Sequence, residues 1–281
     1  MTRDTLGIVA GGGDLPRAVA ESARDAGRGV FVLALMGLAG EWVQEFPHET
    51  VSLGEVGKAL RLLKEHSCQE MLLLGRVDRP RFGDVKLDAK GALVAPRVIA
   101  AALKGDDALL RSLVDMFENA GHRVISVTNA APGLIVREGV LGRIQPTPEQ
   151  KADVAHGFAI VRAMGALDIG QAVVVCEGLV LAVEAAEGTD AMIKRVVNLR
   201  EVVRGKPGKP RGVLVKAPKP IQDRKTDLPV IGVETVRNVA ASYLAGIAVE
   251  ADGALILDRA RVVEAANAAG IFVMGVARAN A

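Results

Sequence analysis

Two carboxylates four residues apart, Asp223 and Asp227, stand in Lys216-Ala-Pro-Lys-Pro-Ile-Gln-Asp-Arg-Lys-Thr-Asp-Leu-Pro-Val-Ile-Gly232, with Arg224 and Lys225 between them. Prolines at 218, 220 and 229 argue against a regular helix, so both acids are expected on an irregular loop. Acids beside bases at the edge of a folded core suit phosphate and metal chemistry; a solvated charged loop is the plain alternative. A second acidic element in the same half of the chain, Glu184-Ala-Ala-Glu187-Gly-Thr-Asp190, favours a metal-assisted site. Glu184 falls at a strand end and Glu187 on the turn. The pair reaches a cation shared with Asp223 or Asp227 if the strands adjoin. Thr189 or Asp190 is expected to cap the helix that follows, and a capped helix N-terminus is also an anion site.

The first half offers a glycine loop. Leu6-Gly-Ile-Val-Ala10 reads as a buried strand, Gly11-Gly12-Gly13 breaks it, and Asp14-Leu-Pro16 opens a helix. Strand, glycine turn and helix start together present backbone N–H donors to an anion; a tight strand-to-helix turn is the competing reading. The dinucleotide fingerprint is incomplete, because Pro16 takes the place of its third glycine and the second strand ends without an acid for a ribose hydroxyl. A Walker loop is excluded, since no Gly-Lys-Ser/Thr follows. Arg76-Val-Asp78-Arg79-Pro-Arg81 follows the third strand, where an open sheet places its ligands, and its arginines could clamp phosphates. A solvated loop is the alternative there.

Other chemistries are poorly supplied. His48, His66, His122 and His156 show no metal-ligand spacing, no Gly-x-Ser-x-Gly occurs, and neither Cys68 nor Cys176 has a neighbouring histidine. One Trp, one Tyr and six Phe in 281 residues leave little for stacking single-stranded nucleic acid. A net charge of +2 offers no duplex-binding face, although Lys and Arg outnumber acids from Arg195 to Arg224, which suits an anionic ligand or a membrane surface. Two lone thiols, no signal peptide and no apolar run of the ~20 residues a membrane span needs point to a reducing, cytoplasmic setting.

The elements that must position these residues alternate. Short apolar strands at 6–10, 30–34, 70–74 and 123–127 are separated by helical patterns at 15–26, 56–65, 98–103 and 108–120, which predicts a parallel, doubly wound sheet. Residues 131–148 hold three prolines and three glycines without helical period, and read as a connection. Beyond it come a helix at 148–164 and two strands, 172–176 and 179–183, at hairpin spacing around Glu177-Gly178. A helix at 190–200, a strand at 212–215, the acidic loop and a helix at 234–244 follow. The chain closes with strands at 246–250, 254–257 and 271–275 around a helix at 259–269. The expected architecture is α/β in two domains: a Rossmann-like parallel sheet over 1–131, a linker over 132–148, and a mixed-sheet α/β catalytic domain over 149–281.

Four stretches run in order across nearly the full length: Ile8-Val-Ala-Gly-Gly-Gly-Asp-Leu-Pro16, Gly105-Asp-Asp-x-Leu-Leu110, Glu184-x-x-Glu-Gly-Thr-Asp190 and Lys219-Pro-x-Gln-Asp-x-Lys-x-Asp-x-Pro-x-Ile-Gly232. In them the chain resembles the UDP-2,3-diacylglucosamine pyrophosphatases of the LpxI type. Lys225 stands where that family more often carries Arg, which keeps the charge without a bidentate fork.

The resemblance implies hydrolysis of UDP-2,3-diacylglucosamine to UMP and 2,3-diacylglucosamine 1-phosphate in Gram-negative lipid A biosynthesis, with Mg2+ or Mn2+ and the substrate held between two domains. Asp223 and Asp227 would hold the metal, joined by Glu184, or take a proton from water. Lys225 would stabilise developing charge. Gly11, Gly12, Gly13, Arg76, Arg79, Glu187, Gly188, Thr189, Asp190 and Gln222 would meet the substrate. Peripheral contact with the inner membrane and a homodimer are further expectations; nucleic acid is not expected as a partner. A nicotinamide-dependent oxidoreductase and a non-catalytic nucleotide or lipid-binding protein are the alternatives.

Overall fold

The computed structural model describes residues 5–77, 85–219 and 228–278, the side chains of Asp106 and Asp107 excepted. The chain divides into two compact units, Met1–Gly133 and Leu134–Ala281.

The first unit runs β1 (Leu6–Ala10), α1 (Leu15–Asp25), β2 (Val30–Leu35), a 3-10 turn (Glu41–Glu45), β3 (His48–Val51), α2 (Val56–Glu65), β4 (Glu70–Leu74), α3 (Ala89–Ala102), α4 (Asp106–Asn119), β5 (Arg123–Val124) and α5 (Val127–Ala130). Its five strands are parallel in the order β3-β2-β1-β4-β5. The strand order reverses between β1 and β4, so the crevice beyond their carboxyl ends is the topological switch point of an open α/β sheet. Phe31, Leu33, Leu63 and Met71 are buried in one core layer under α2 and α4.

The second unit runs β6 (Gly139–Leu141), α6 (Pro148–Ala166), β7 (Ala172–Cys176), β8 (Leu179–Val183), α7 (Gly188–Arg195), β9 (Val213–Lys216), β10 (Val230–Ile231), α8 (Val233–Ala241), β11 (Gly246–Glu250), β12 (Leu255–Ile256), α9 (Arg259–Ala269) and β13 (Phe272–Val276). Six of these strands form a mixed sheet ordered β6-β13-β11-β9-β7-β8, in which only β13-β11-β9 is parallel. On one face Val154, Phe158 and Val161 of α6 meet Val173, Val175, Val213, Val215 and Phe272. Burying each such Val or Phe contributes about 1.5–3 kcal/mol. Side chains of α7, α8 and α9 cover the other face over Val174, Leu214, Ile247 and Val249.

Local chemistry explains several boundaries. Thr147 and Gln150 form a reciprocal capping box with Pro148 in the first turn, which starts α6. At the β7–β8 hairpin Glu177 and Gly178 both take positive φ, at 50° and 78°, and their amides donate to Oδ2 and Oδ1 of the buried Asp153 at 2.8 and 2.7 Å.

Three local expectations change, and one strand has no counterpart among them. The strand expected over 123–127 stops at Val124, because the Ser126 hydroxyl accepts from the Asn129 amide and starts α5 instead. The helix expected from Val98 starts at Ala89, capped by Asp88, and carries Pro96 inside it. β3, with the polar sequence His-Glu-Thr-Val, offers no apolar run to read, yet pairs along β2. Within the segment expected as a connection, Gly139–Leu141 adds an antiparallel edge to β13 and Val136 is fully buried. Pairing to a sheet overrides the local Pro and Gly signals.

Candidate functional site

At the switch point of the first unit the glycine loop closes onto β4. The Gly11 amide donates to the Leu74 carbonyl at 2.8 Å, and Gly12 and Arg76 exchange backbone hydrogen bonds at 2.9 and 2.8 Å. Glycine is required by this approach. A Cβ at Gly11 would lie 2.7 Å from the Arg76 carbonyl oxygen, and one at Gly75 would lie 2.7 Å from that of Gly12. Gly13 has φ +91° and open space around it. The amides of Gly11 and Gly12 are therefore consumed by Leu74 at the end of β4 and by Arg76 just beyond it. This arrangement differs from a dinucleotide loop, whose glycines bring the backbone up to a pyrophosphate. Arg76 is exposed beside the loop, so the structure brings Gly11, Gly12, Gly13 and Arg76 together. Arg79 lies outside the described residues.

In the second unit the polar residues gather at the carboxyl ends of β9 and β11. Lys216, the last residue of β9, is opposite Ala172 of β7 on one side and Val249 of β11 on the other. The Glu184 amide donates to the Ala172 carbonyl at 2.9 Å. Lys216, Ala172 and Glu184 thus form a row across three strands, with the small alanine between a buried ammonium and a buried carboxylate. Side chains alternate along a strand, which puts Lys216 on the Leu214 face, toward β10. There its Nζ donates to the Val230 carbonyl at 3.1 Å. Glu250, which follows Val249, is also buried and faces Arg162 of α6 at 3.8 Å.

Glu184 organises the start of α7. Its Oε1 accepts from the Thr189 hydroxyl at 2.6 Å and its Oε2 from the Gln171 amide at 3.0 Å. Asp190 accepts from the Asn238 amide of α8 at 2.9 Å. Neither Thr189 nor Asp190 caps α7. The N-cap is Glu187, without a side-chain cap hydrogen bond, because Gly188 at φ +80° turns the chain so that both side chains point at partners elsewhere. Glu187 is held below the usual carboxylate range by its own backbone amide and by Arg195, 3.1 Å away. The structure therefore brings Glu184 and Thr189 together, and directs Glu187 and Asp190 to Arg195 and Asn238. Gln222, Asp223, Lys225 and Asp227 lie outside the described residues; the described chain continues past the end of β9 to Lys219 and resumes at Leu228, before β10. Lys219 pairs with Asp168 at 2.6 Å.

Sequence reasoning assigned no role to Gln171, Lys216, Asn238 or Glu250. For Lys216 and Glu250 a signal existed: each is a charge ending an otherwise apolar strand, Val213-Leu-Val-Lys216 and Gly246-Ile-Ala-Val-Glu250. Carboxyl ends of parallel strands are where open sheets bind ligands. Gln171 and Asn238 carried none, since their roles depend on partners 13 and 48 residues away.

Two family models match the chain, one in each unit. Residues 5–134 match the LpxI N-terminal domain and residues 137–274 the LpxI C-terminal domain. The chain is 45% identical to "UDP-2,3-diacylglucosamine pyrophosphatase LpxI" of Caulobacter vibrioides over 271 residues, which covers 96% of this chain and 97% of that protein. The chain belongs to the LpxI family.

Among solved structures, CobK precorrin-6A reductase aligns over 99% of this chain and 89% of its own at TM-score 0.31 and 10% identity. N5-carboxyaminoimidazole synthase from Aspergillus clavatus aligns over 75% and 46% at TM-score 0.22 and 14% identity. At scores this low neither likeness bears on fold or function.

Proposed function

We propose that this protein hydrolyses the pyrophosphate of UDP-2,3-diacylglucosamine to UMP and 2,3-diacylglucosamine 1-phosphate, a step of lipid A biosynthesis, with the help of a divalent cation. The observation that carries the reading is the 45% identity to a pyrophosphatase of that name across nearly the whole of both chains.

Hydrolysing a phosphoanhydride needs an activated water and relief of negative charge on the phosphate oxygens. Carboxylates repel those oxygens, so Asp223 and Asp227 serve by holding the cation or by taking a proton from the attacking water. Lys225, between them in sequence, stabilises charge as it develops on the phosphoryl oxygens. Hard divalent ions take oxygen ligands. Among the described residues Glu184 accepts one hydrogen bond on each carboxylate oxygen, and an oxygen with a second lone pair can also face a cation, so its chemistry fits a place in that set. A bound Mg2+ or Mn2+ would supply charge neutralisation on the phosphate oxygens. Arg76 beside the glycine loop, and Thr189 and Asp190 at the start of α7, contribute to substrate binding. A dinucleotide-dependent oxidoreductase is disfavoured by the consumed amides of Gly11 and Gly12.

The test is UMP release from UDP-2,3-diacylglucosamine by the purified protein. We expect activity with magnesium or manganese, abolition by chelator and recovery on adding the cation back. Absence of UMP under all these conditions would refute the assignment. Activity unaffected by chelator would remove the metal alone.

A further inference from the structure

α3 presents apolar residues to solvent. Its sequence, Ala-Lys-Gly-Ala-Leu-Val-Ala-Pro-Arg-Val-Ile-Ala-Ala-Ala, contains no acid and two cations. Within the first unit it packs against α2 and α4, and of its residues only Gly91 and Ala102 are buried. On the opposite side Ala89, Leu93, Pro96, Ala100 and Leu103, the residue just past its end, are all exposed. Their spacing of three and four residues puts them on one stripe of the helix. Leu93 at 79% and Leu103 at 82% are the most exposed large apolar side chains among the described residues.

Lys90 and Arg97, seven residues apart, run along one border of this stripe, and Lys86 and Lys104 flank its two ends. The single acid between Lys86 and Lys104 is Asp88, whose oxygens accept from the Gly91 and Lys58 amides at 2.7 and 3.1 Å. Arg97 also reaches Asp115 of α4 at 2.6 Å. A 190 Å³ hollow between α3 and α4 is lined by Val94, Val98, Ser112 and Met116 together with Lys90 and Arg97. Ser112 is 7% exposed, and its hydroxyl has no partner among the described residues.

We propose that the exposed face of α3 docks the protein on an anionic phospholipid bilayer, with Leu93 and Leu103 entering the headgroup boundary and Lys86, Lys90 and Lys104 meeting lipid phosphates. An apolar stripe bordered by Lys and Arg, without acids, is the pattern of helices that lie in a membrane surface. The cations favour an anionic surface; an acidic protein partner in its place would show as no vesicle binding by wild type. The reason to visit a bilayer rests on the proposed function, since a substrate with two acyl chains resides there. The surface itself is read from α3 alone.

The test is co-sedimentation of the full chain with vesicles of phosphatidylcholine alone and of phosphatidylcholine with phosphatidylglycerol, without substrate. We expect binding to the anionic vesicles that weakens with salt. The Leu93→Ser/Leu103→Ser and Lys90→Glu/Lys104→Glu variants should each bind about tenfold more weakly or worse. Both pairs are exposed, so thermal unfolding should match wild type, and turnover of detergent-dispersed substrate should be retained. As an independent readout, Leu93→Cys gives one exposed thiol beside the buried Cys68 and Cys176. A polarity-sensitive dye placed there should shift to the blue on anionic vesicles. No vesicle binding by wild type, binding unchanged in both double variants, or a dye that shifts only on self-association of the protein would each overturn the proposal. Vesicle binding without turnover would instead sink the proposed function and leave this surface standing.

Discussion

The Thr189 hydroxyl donates to Oε1 of Glu184 across 2.6 Å, and so ties the first turn of α7 to the end of β8. Glu184 is 6% exposed, so loss of that donor leaves a buried carboxylate oxygen short of a partner. Thr189→Val keeps the shape and removes the hydroxyl. It should cost about 1–3 kcal/mol of stability, read by urea denaturation, with turnover reduced as well. Thr189→Ser should restore most of both. A valine variant as stable and as active as wild type would show that the bond holds nothing in place.

The two acids of the 216–232 segment should separate catalysis from binding. Asp223→Ala and Asp227→Ala are each expected to lower kcat by orders of magnitude while KM stays within a few-fold, because the roles proposed for the acids are on the cation or on water and not in ground-state contacts. Steady-state kinetics on UDP-2,3-diacylglucosamine decides this. A variant that turns over at the wild-type rate loses its catalytic role.

Glycine loop substitutions should sort by contact. Gly75→Ala combines φ +93° with a Cβ 2.7 Å from the Gly12 carbonyl oxygen, so β1 and β4 must separate at the switch point. Gly13→Ala meets φ +91° but nothing within 4 Å. The first should destabilise the protein by several kcal/mol and the second by about 1–2 kcal/mol. Thermal unfolding of the two variants compares them directly, and equal losses would contradict the closure of the loop on β4.

Burial pushes the Cys68 thiol up to about 12 and the Cys176 thiol up to about 11. Both should resist a thiol reagent at neutral pH in the native state and react at once in denaturant. In the unfolded chain each thiol ionises near 9.0. The folded state therefore retains more protons above that pH. The stability these thiols contribute is fully present below pH 9 and is lost as pH rises toward 11 and 12. Denaturant midpoints across pH 8 to 11 should fall, and a Cys68→Ala/Cys176→Ala protein should lose less over the same interval.

What the sequence by itself determined is what short-range chemistry can carry. Apolar runs at 6–10, 70–74, 172–176 and 246–250 mark strands because burial demands it. Glu177-Gly178 marks a hairpin because two residues between apolar runs fit its spacing and Gly178 accepts positive φ, and Pro148 marks a helix start because its fixed φ suits the first turn. The order of elements made the parallel sheet and the mixed sheet legible as well.

The tertiary structure alone decided which distant residues meet. Lys216 lies between Ala172 and Val249 through strand register, and Asp190 meets Asn238 across 48 residues. Gly188 turned Thr189 from a cap into a partner of Glu184. The three glycines at 11–13 looked like an anion cradle, but the amides of two of them are spent on Leu74 and Arg76. Register and strand order arise from pairing between segments far apart in the chain, and no local period encodes them.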